Sequence, residues 1–167
     1  LVGSEMCIRD RQKIEEECQA CDSHQDYRLR ITISKSGEME VSRQVLEPLS
    51  PAFCQAQLCL QEADLQQAFT YFKTTHRPHL SLGEQEIIYH NVAGELLETS
   101  IGNLVLKIAG KLYTPPISQG ILPGIYRQHL LETGQVEEKV LTLADLNQAE
   151  TIYGCNAVRK LYELEVN

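Results

Sequence analysis

One thirty-residue block of this 167-residue chain concentrates side chains that chemistry can use. It reads Glu98-Thr99-Ser100-Ile101-Gly102-Asn103-Leu104, then a predicted hairpin, then Leu112-Tyr113-Thr114-Pro115-Pro116. Gly120-Ile121-Leu122-Pro123-Gly124-Ile125-Tyr126-Arg127 completes it. Gly124, Ile125 and Tyr126 open a predicted helix behind Pro123. The unpaired N–H groups and the dipole at a helix N-terminus favour a phosphate, although a Pro-Gly start by itself commonly just turns the chain. Taken singly, Glu98 reads as a solvated strand-end acid. Lys73, which follows Tyr71-Phe72, reads as a strand-end surface charge.

The elements that must position these residues are legible as patterns. Residues 12–21 read as the end of a helix, and 22–26 as a polar turn. Residues 27–34 alternate apolar and polar, the period of a half-buried strand, and a turn at 35–38 returns the chain as a second strand over 39–46. Pro48 and Pro51 mark a linker. Residues 56–60 form a further strand, and 61–67 a loop or short helical turn. Strands are expected at 86–90 and from Leu96 onward. Residues 104–108 and 111–114 flank Ala109-Gly110 as a hairpin that Pro115-Pro116 stops. A helix spans 124–132. Thr142, three residues before Asp145, starts another through a capping box, and 151–155 is read as the last buried strand. Hairpins mixed with helices point to an α+β fold rather than a doubly wound sheet.

Composition narrows the function classes. A net charge of −8 repels a nucleic-acid backbone or an anionic membrane surface. No apolar run approaches the ~18 residues that a membrane span needs. A reducing cytoplasm is the expected compartment. Cys18 and Cys21 form a single C-x-x-C with no second pair to complete a zinc site, so no metal is expected. Cys54, Cys59 and Cys155 read as small buried hydrophobes. His24, His76, His79, His90 and His129 lack metal-ligand spacing and read as surface or supporting residues. Residues 1–11 look like translated sequencing-adapter sequence and are set outside the evolved fold.

The block from Glu98 to Arg127 resembles the signature of class-IV aminotransferases: Glu, then Asn, then Thr after an aromatic, then a Pro-Gly-Ile helix start ending in Arg. The wording Tyr113-Thr114-Pro115-Pro116 and Leu122-Pro123-Gly124-Ile125-Tyr126-Arg127, with Cys155-Asn156-Ala157, is most similar to the family's aminodeoxychorismate lyases, including those fused to a synthase. The resemblance covers roughly residues 27–161. It implies a D-amino acid aminotransferase-like fold: a small α/β domain, here truncated and confined with its linker to 12–72, and a cofactor-binding, barrel-like domain over 73–167. It also implies pyridoxal 5′-phosphate as cofactor and a homodimer. Lys73, within Phe72-Lys73-Thr74-Thr75-His76-Arg77, then becomes the lysine that holds the cofactor as a Schiff base and moves the proton. Glu98 faces the pyridine nitrogen and keeps it protonated. Asn103 fixes the backbone near the ring. The amides of Gly124, Ile125 and Tyr126 receive the phosphate, and Asn156 lies near it. Arg127 belongs to the signature either through an approach to the site or through a structural ion pair.

The activity so implied is release of pyruvate and 4-aminobenzoate from the anionic substrate 4-amino-4-deoxychorismate. The alternatives are a branched-chain or D-amino acid transaminase and a non-catalytic domain on the same fold. The chain departs from the family pattern twice. Lys73 precedes Glu98 by 25 positions, short of the family spacing by about two helical turns, with residues 78–83 in place of a helix. The family's N-terminal segment, with a phosphate-clamping arginine, is expected upstream of Gln12 and is not matched in this sequence.

Overall fold

A computed structural model describes residues 2–61 and 83–166, with side chains from Arg11 onward. The segment with Lys73, His76, His79 and the expected boundary at 72/73 lies outside the described residues, as do residues 62–67 of the expected loop. Two compact units result, Leu1–Pro48 and Leu49–Asn167.

In the first unit, helix α1 (Val2–Gln19) precedes strands β1 (Tyr27–Ile33) and β2 (Met39–Val45). The helix starts inside the segment set aside as adapter-derived. That stretch has no proline and only Gly3 to oppose helix, so local propensity suffices. The hairpin runs in register from Tyr27↔Val45 to Ile33↔Met39. Ser34 Oγ accepts the Glu38 amide at 3.0 Å across the predicted turn. Lys13 Nζ ties the helix to the Met39 carbonyl at 2.7 Å. The expected half-burial of β1 holds only at its start: Tyr27 and Leu29 are half-buried, whereas Ile31 and Ile33 are 45% and 67% exposed. A lone two-stranded hairpin has too little partner surface to cover a full apolar face.

The second unit is a β-barrel with helices. Ser50 caps the short helix α2 (Pro51–Cys54) through the Phe53 amide. The strands are β3 (Gln55–Leu60), β4 (Ile87–His90), β5 (Leu96–Thr99), β6 (Asn103–Ile108), β7 (Lys111–Thr114), β8 (Glu137–Glu138), β9 (Thr151–Asn156) and β10 (Lys160–Val166). Their order is β5-β4-β3-β10-β9-β6-β7-β8, and a further pairing of β5 with β6 closes six of them into a ring. The closing bridge is Glu98↔Asn103. Strand β3, grouped by sequence with the small domain and linker, pairs in parallel with both β4 and β10. Those neighbours satisfy both its edges and hold it in the barrel.

Side chains from the ring fill its interior: Ala56, Ile88, Leu96, Leu104, Leu106, Tyr162 and Leu164, with Leu141 and Leu146 packed against them. Each fully buried aliphatic side chain stabilises by roughly 1.5–3 kcal/mol. On the outer face, Val105 and Cys155 meet Leu130 and Val136, which seats helix α3 (Ile125–Glu132) against β6 and β9. The predicted hairpin at Ala109-Gly110 turns through two positive φ values, 50° and 76°, as a two-residue turn requires.

Strand β9 is not the last. Strand β10 follows it, and its alternation of Tyr162, Leu164 and Val166 with Glu163 and Glu165 was a readable signal. Two cysteines also depart from expectation: Cys59 is exposed and Cys54 only half-buried, whereas Cys155 is buried. All five described cysteines are free.

The predicted capping box is present at helix α4 (Leu143–Gln148). Thr142 Oγ1 accepts the Asp145 amide, and Asp145 Oδ2 accepts the Thr142 amide at 2.9 Å. Burial works against the Asp145 carboxylate, but hydrogen bonds from Lys139 and Thr142 hold it below its ordinary value of 3.8. Thr142→Ala should therefore lower stability by about 1 kcal/mol at neutral pH, read as a fall in the urea midpoint. Native Asp145 sheds its proton more readily than unfolded Asp145, so its contribution is present above pH 3.8 and fades as pH falls through the lower native value.

Candidate active site

The barrel closes at the residues that the sequence singled out. Glu98 lies next to the end of β5 and Asn103 begins β6, and Asn103 also stands opposite Cys155 of β9. The intervening turn is tight. The Thr99 amide donates to the Gly102 carbonyl at 2.8 Å, and the Gly102 amide donates to Thr99 Oγ1 at 3.0 Å. A Cβ on Gly102 would sit 2.5 Å from the Cys155 carbonyl oxygen, so only glycine permits this approach of two backbones.

Glu98 and Asn103 meet on a single residue. The Leu122 amide donates to Glu98 Oε2 at 3.2 Å, and Asn103 Nδ2 donates to the Leu122 carbonyl at 2.7 Å. Both side chains are buried, at 2% exposure each. The Gly124 amide also donates to the Leu122 carbonyl, at 2.8 Å. A Cβ on Gly124 would lie 2.1 Å from Asn103 Oδ1. The bare Gly124 backbone thus lets the loop settle against Asn103.

That loop delivers α3. Gly124 is its N-cap, with extended backbone and no side-chain cap. Helix geometry leaves the amides of Ile125, Tyr126 and Arg127 without intrahelical partners, at the positive end of the dipole. Ile125 is 78% exposed at this tip. Asn156 braces the neighbouring turns: its Oδ1 accepts the Val158 and Arg159 amides at 2.9 and 2.8 Å. Its Nδ2 donates to the Ile101 carbonyl at 3.3 Å.

Glu98, Asn103 and Gly124 are therefore joined through Leu122, and Asn156 touches the turn between Glu98 and Asn103. Lys73 lies outside the described residues. Arg127 resolves to the structural alternative: buried at 3% exposure, it donates to the Pro115 carbonyl at 2.7 Å and pairs with Glu138. Sequence reasoning missed Leu122, which acts through its backbone, and Glu86, a fully buried carboxylate that accepts from Ser100 and Tyr162. Glu86 opens the strand expected at 86–90, but nothing local to Glu84-Gln85-Glu86 signals that its carboxylate is buried.

Burial pushes the Cys155 thiol up to about 12, with the Arg127 charge opposing. Burial, reinforced by the Glu86 charge, raises the Tyr162 phenol well above its ordinary value. Among the described residues, no cluster of histidine, cysteine and carboxylate side chains suits a metal ion.

Comparison with known proteins places this geometry. The family model for amino-transferase class IV matches residues 6–164. The chain belongs to that family. The family uses pyridoxal 5′-phosphate. A Thermotoga maritima protein named "Probable branched-chain-amino-acid aminotransferase" is 32% identical over 108 residues, covering 54% of this chain and 40% of the relative. The aminodeoxychorismate lyase of Saccharomyces cerevisiae is 29% identical over 117 residues, covering 54% of this chain and 31% of its own. The chain thus matches well under half the length of these curated relatives. A solved Mesorhizobium loti structure, provisionally assigned as an amino-acid aminotransferase, superposes with a TM-score of 0.72 at 28% identity. That match covers 84% of this chain and 73% of the other. The barrel is therefore the fold-type IV architecture that the resemblance implied.

Three outcomes follow from this geometry. Asn103→Ala, which leaves the Leu122 carbonyl without its side-chain donor, should cost about 1–3 kcal/mol in a urea titration. Alkaline pH should also destabilise. Unfolded Cys155 deprotonates near 9 and native Cys155 only near 12, so its stabilisation is complete below pH 9 and drains away between 9 and 12. At pH 8, an alkylating reagent should label exposed Cys59 and spare Cys155 until the chain unfolds.

Proposed function

We propose that the whole protein is a pyridoxal-phosphate-dependent 4-amino-4-deoxychorismate lyase that releases pyruvate and 4-aminobenzoate. The observation that carries it is the Leu122 clamp, which links a buried acid, Glu98, to an uncapped helix tip at Gly124. These residues fit the family cofactor. A buried carboxylate suits a protonated ring nitrogen, and a helix N-terminus without a side-chain cap suits a phosphate. When bound, pyridoxal phosphate supplies the electron sink into which the substrate's α-carbon discharges.

The chain's own residues do the rest. Glu98 holds the proton at the ring nitrogen. The Ile125 and Tyr126 amides orient the phosphate, while the Gly124 amide, expected to join them, is spent on the Leu122 carbonyl. Asn103 holds the loop that presents them, and Asn156 steadies the adjoining turns. Lys73, assigned by the resemblance of residues 72–77, holds the cofactor through Nζ. Free of the cofactor, the same Nζ would serve as the base for the substrate's carbon-bound proton. Choice of the lyase within the family rests on the Tyr113-Thr114-Pro115-Pro116 and Leu122-Pro123-Gly124 wording and on the yeast relative. A branched-chain or D-amino acid transaminase is the second reading, favoured by the Thermotoga relative's higher identity. A homodimer is proposed because family members are generally dimeric, and a cytoplasmic site from the cysteine usage. No helix among the described residues is long and apolar enough to cross a membrane.

Borohydride added with pyridoxal phosphate should fix the cofactor to the Lys73 peptide, detected by mass, and Lys73→Ala should abolish the adduct. Pyruvate released without an amino acceptor marks a lyase, whereas dependence on a 2-oxo acid marks a transaminase. Glu98→Gln should slow turnover by about a hundredfold. Protein that yields neither a visible absorbance with the cofactor nor a Lys73 adduct is instead a non-catalytic domain on this fold.

A further inference from the structure

The Glu98–Asn103 bridge rests on a second buried carboxylate. Glu86, immediately before β4, is fully buried. Its Oε1 accepts from Ser100 Oγ and, at 3.3 Å, from the Ile87 amide. Its Oε2 accepts from the Tyr162 hydroxyl at 2.8 Å. Ser100 sits in the turn between Glu98 and Asn103, and its amide also donates to the Ile87 carbonyl at 3.0 Å. The Tyr162 hydroxyl reaches the same turn from β10. It interacts with Thr99 and lies 3.2 Å from where a Gly102 Cβ would be. The Tyr162 ring fills the space that Gly154 leaves open, since a Cβ there would approach it to 2.3 Å.

A carboxylate withdrawn from water this completely persists only where donors satisfy it. Here the donors come from β4, the 99–102 turn and β10, so Glu86 gathers three elements at the closure of the barrel. Backbone pairing alone leaves that closure thin, a single bridge.

We propose that Glu86, through Ser100 and Tyr162, is a positioning residue that sets the Glu98–Asn103 bridge and hence the Leu122 clamp ahead of α3. Its consequence for cofactor binding rests on the function proposed above; its effect on Leu122 does not.

The test is amide hydrogen exchange on the full chain without cofactor, comparing Ser100→Ala and Glu86→Gln with the parent sequence. Ser100→Ala removes one hydroxyl and keeps the backbone bond to Ile87, so it leaves the barrel ladder in place. Exchange at the Leu122 amide should accelerate about tenfold, while Leu104 and Val105, in the β6–β9 ladder, keep their rates. Glu86→Gln, which retains shape and some hydrogen bonding, should give a smaller acceleration in the same place. Unchanged Leu122 exchange in both variants, or equal acceleration throughout β6 and β9, overturns the proposal.

A second measurement separates this inference from the cofactor reading. If the parent chain binds pyridoxal phosphate, Ser100→Ala should weaken its fluorescence-measured affinity and shift the pH dependence of its visible absorbance. Wild-type affinity and profile, despite faster Leu122 exchange, would confine Glu86 to the loop. A parent chain that binds no cofactor defeats the functional reading and leaves the exchange result to decide the positioning.

Discussion

The backbone of Leu122 is the constraint on which the rest of this structure turns. Its N–H is held by a carboxylate and its carbonyl by a carboxamide, and those two side chains come from the strands that close the barrel. A backbone amide buried away from water must be paired, because an orphaned group costs about 1–3 kcal/mol. Satisfying both ends with side chains of fixed strands leaves the loop one position. The helix that follows inherits that position, so the direction of its uncapped amides is set by the barrel rather than by the loop's own preferences.

Charge burial follows the same logic. Glu86, Glu98 and Arg127 are all nearly inaccessible to water, and each is met by groups that offset the cost of leaving it. Arg127 ties the start of α3 to the Pro115 carbonyl and to Glu138. Glu98 faces the loop before α3, and Glu86 holds the turn beside it. These charges add little net stability over apolar packing. Their contribution is directional: each fixes one segment against another where Leu and Val contacts would allow sliding. Bulk cohesion comes from the aliphatic interior supplied by β3, β4, β5, β6 and β10.

Family membership and residue-level assignment stand at different distances from these observations. The barrel, its closure and the match across residues 6–164 agree on the class-IV architecture. Asn103 and Asn156 explain themselves without any cofactor. One spends its amide on Leu122, the other on Ile101 and the turn after β9. Signature residues can thus serve the scaffold first and present the ligand-facing groups second. Arg127 is the clearest case, since its Nη2 is spent on the Pro115 carbonyl and on Glu138.

By itself the sequence determined what short-range physics decides. The alternation of 27–34, the two-residue turn at Ala109-Gly110, the Thr142–Asp145 capping box and the Pro-Gly start of α3 each involve residues within a few positions of one another. Spacing alone carries such signals. The block from Glu98 to Arg127 also announced the family, because its residue types stand at matched offsets along one stretch of chain. Only the tertiary structure decided that β3 joins the barrel, that Glu86 is buried, that Ile33 is not, and that Glu98 and Asn103 meet on the backbone of one residue 24 and 19 positions away. The reason is the same in each case: burial and hydrogen-bond partnership depend on segments distant in sequence, and a charged or apolar side chain carries no local mark of which distant segment will cover it.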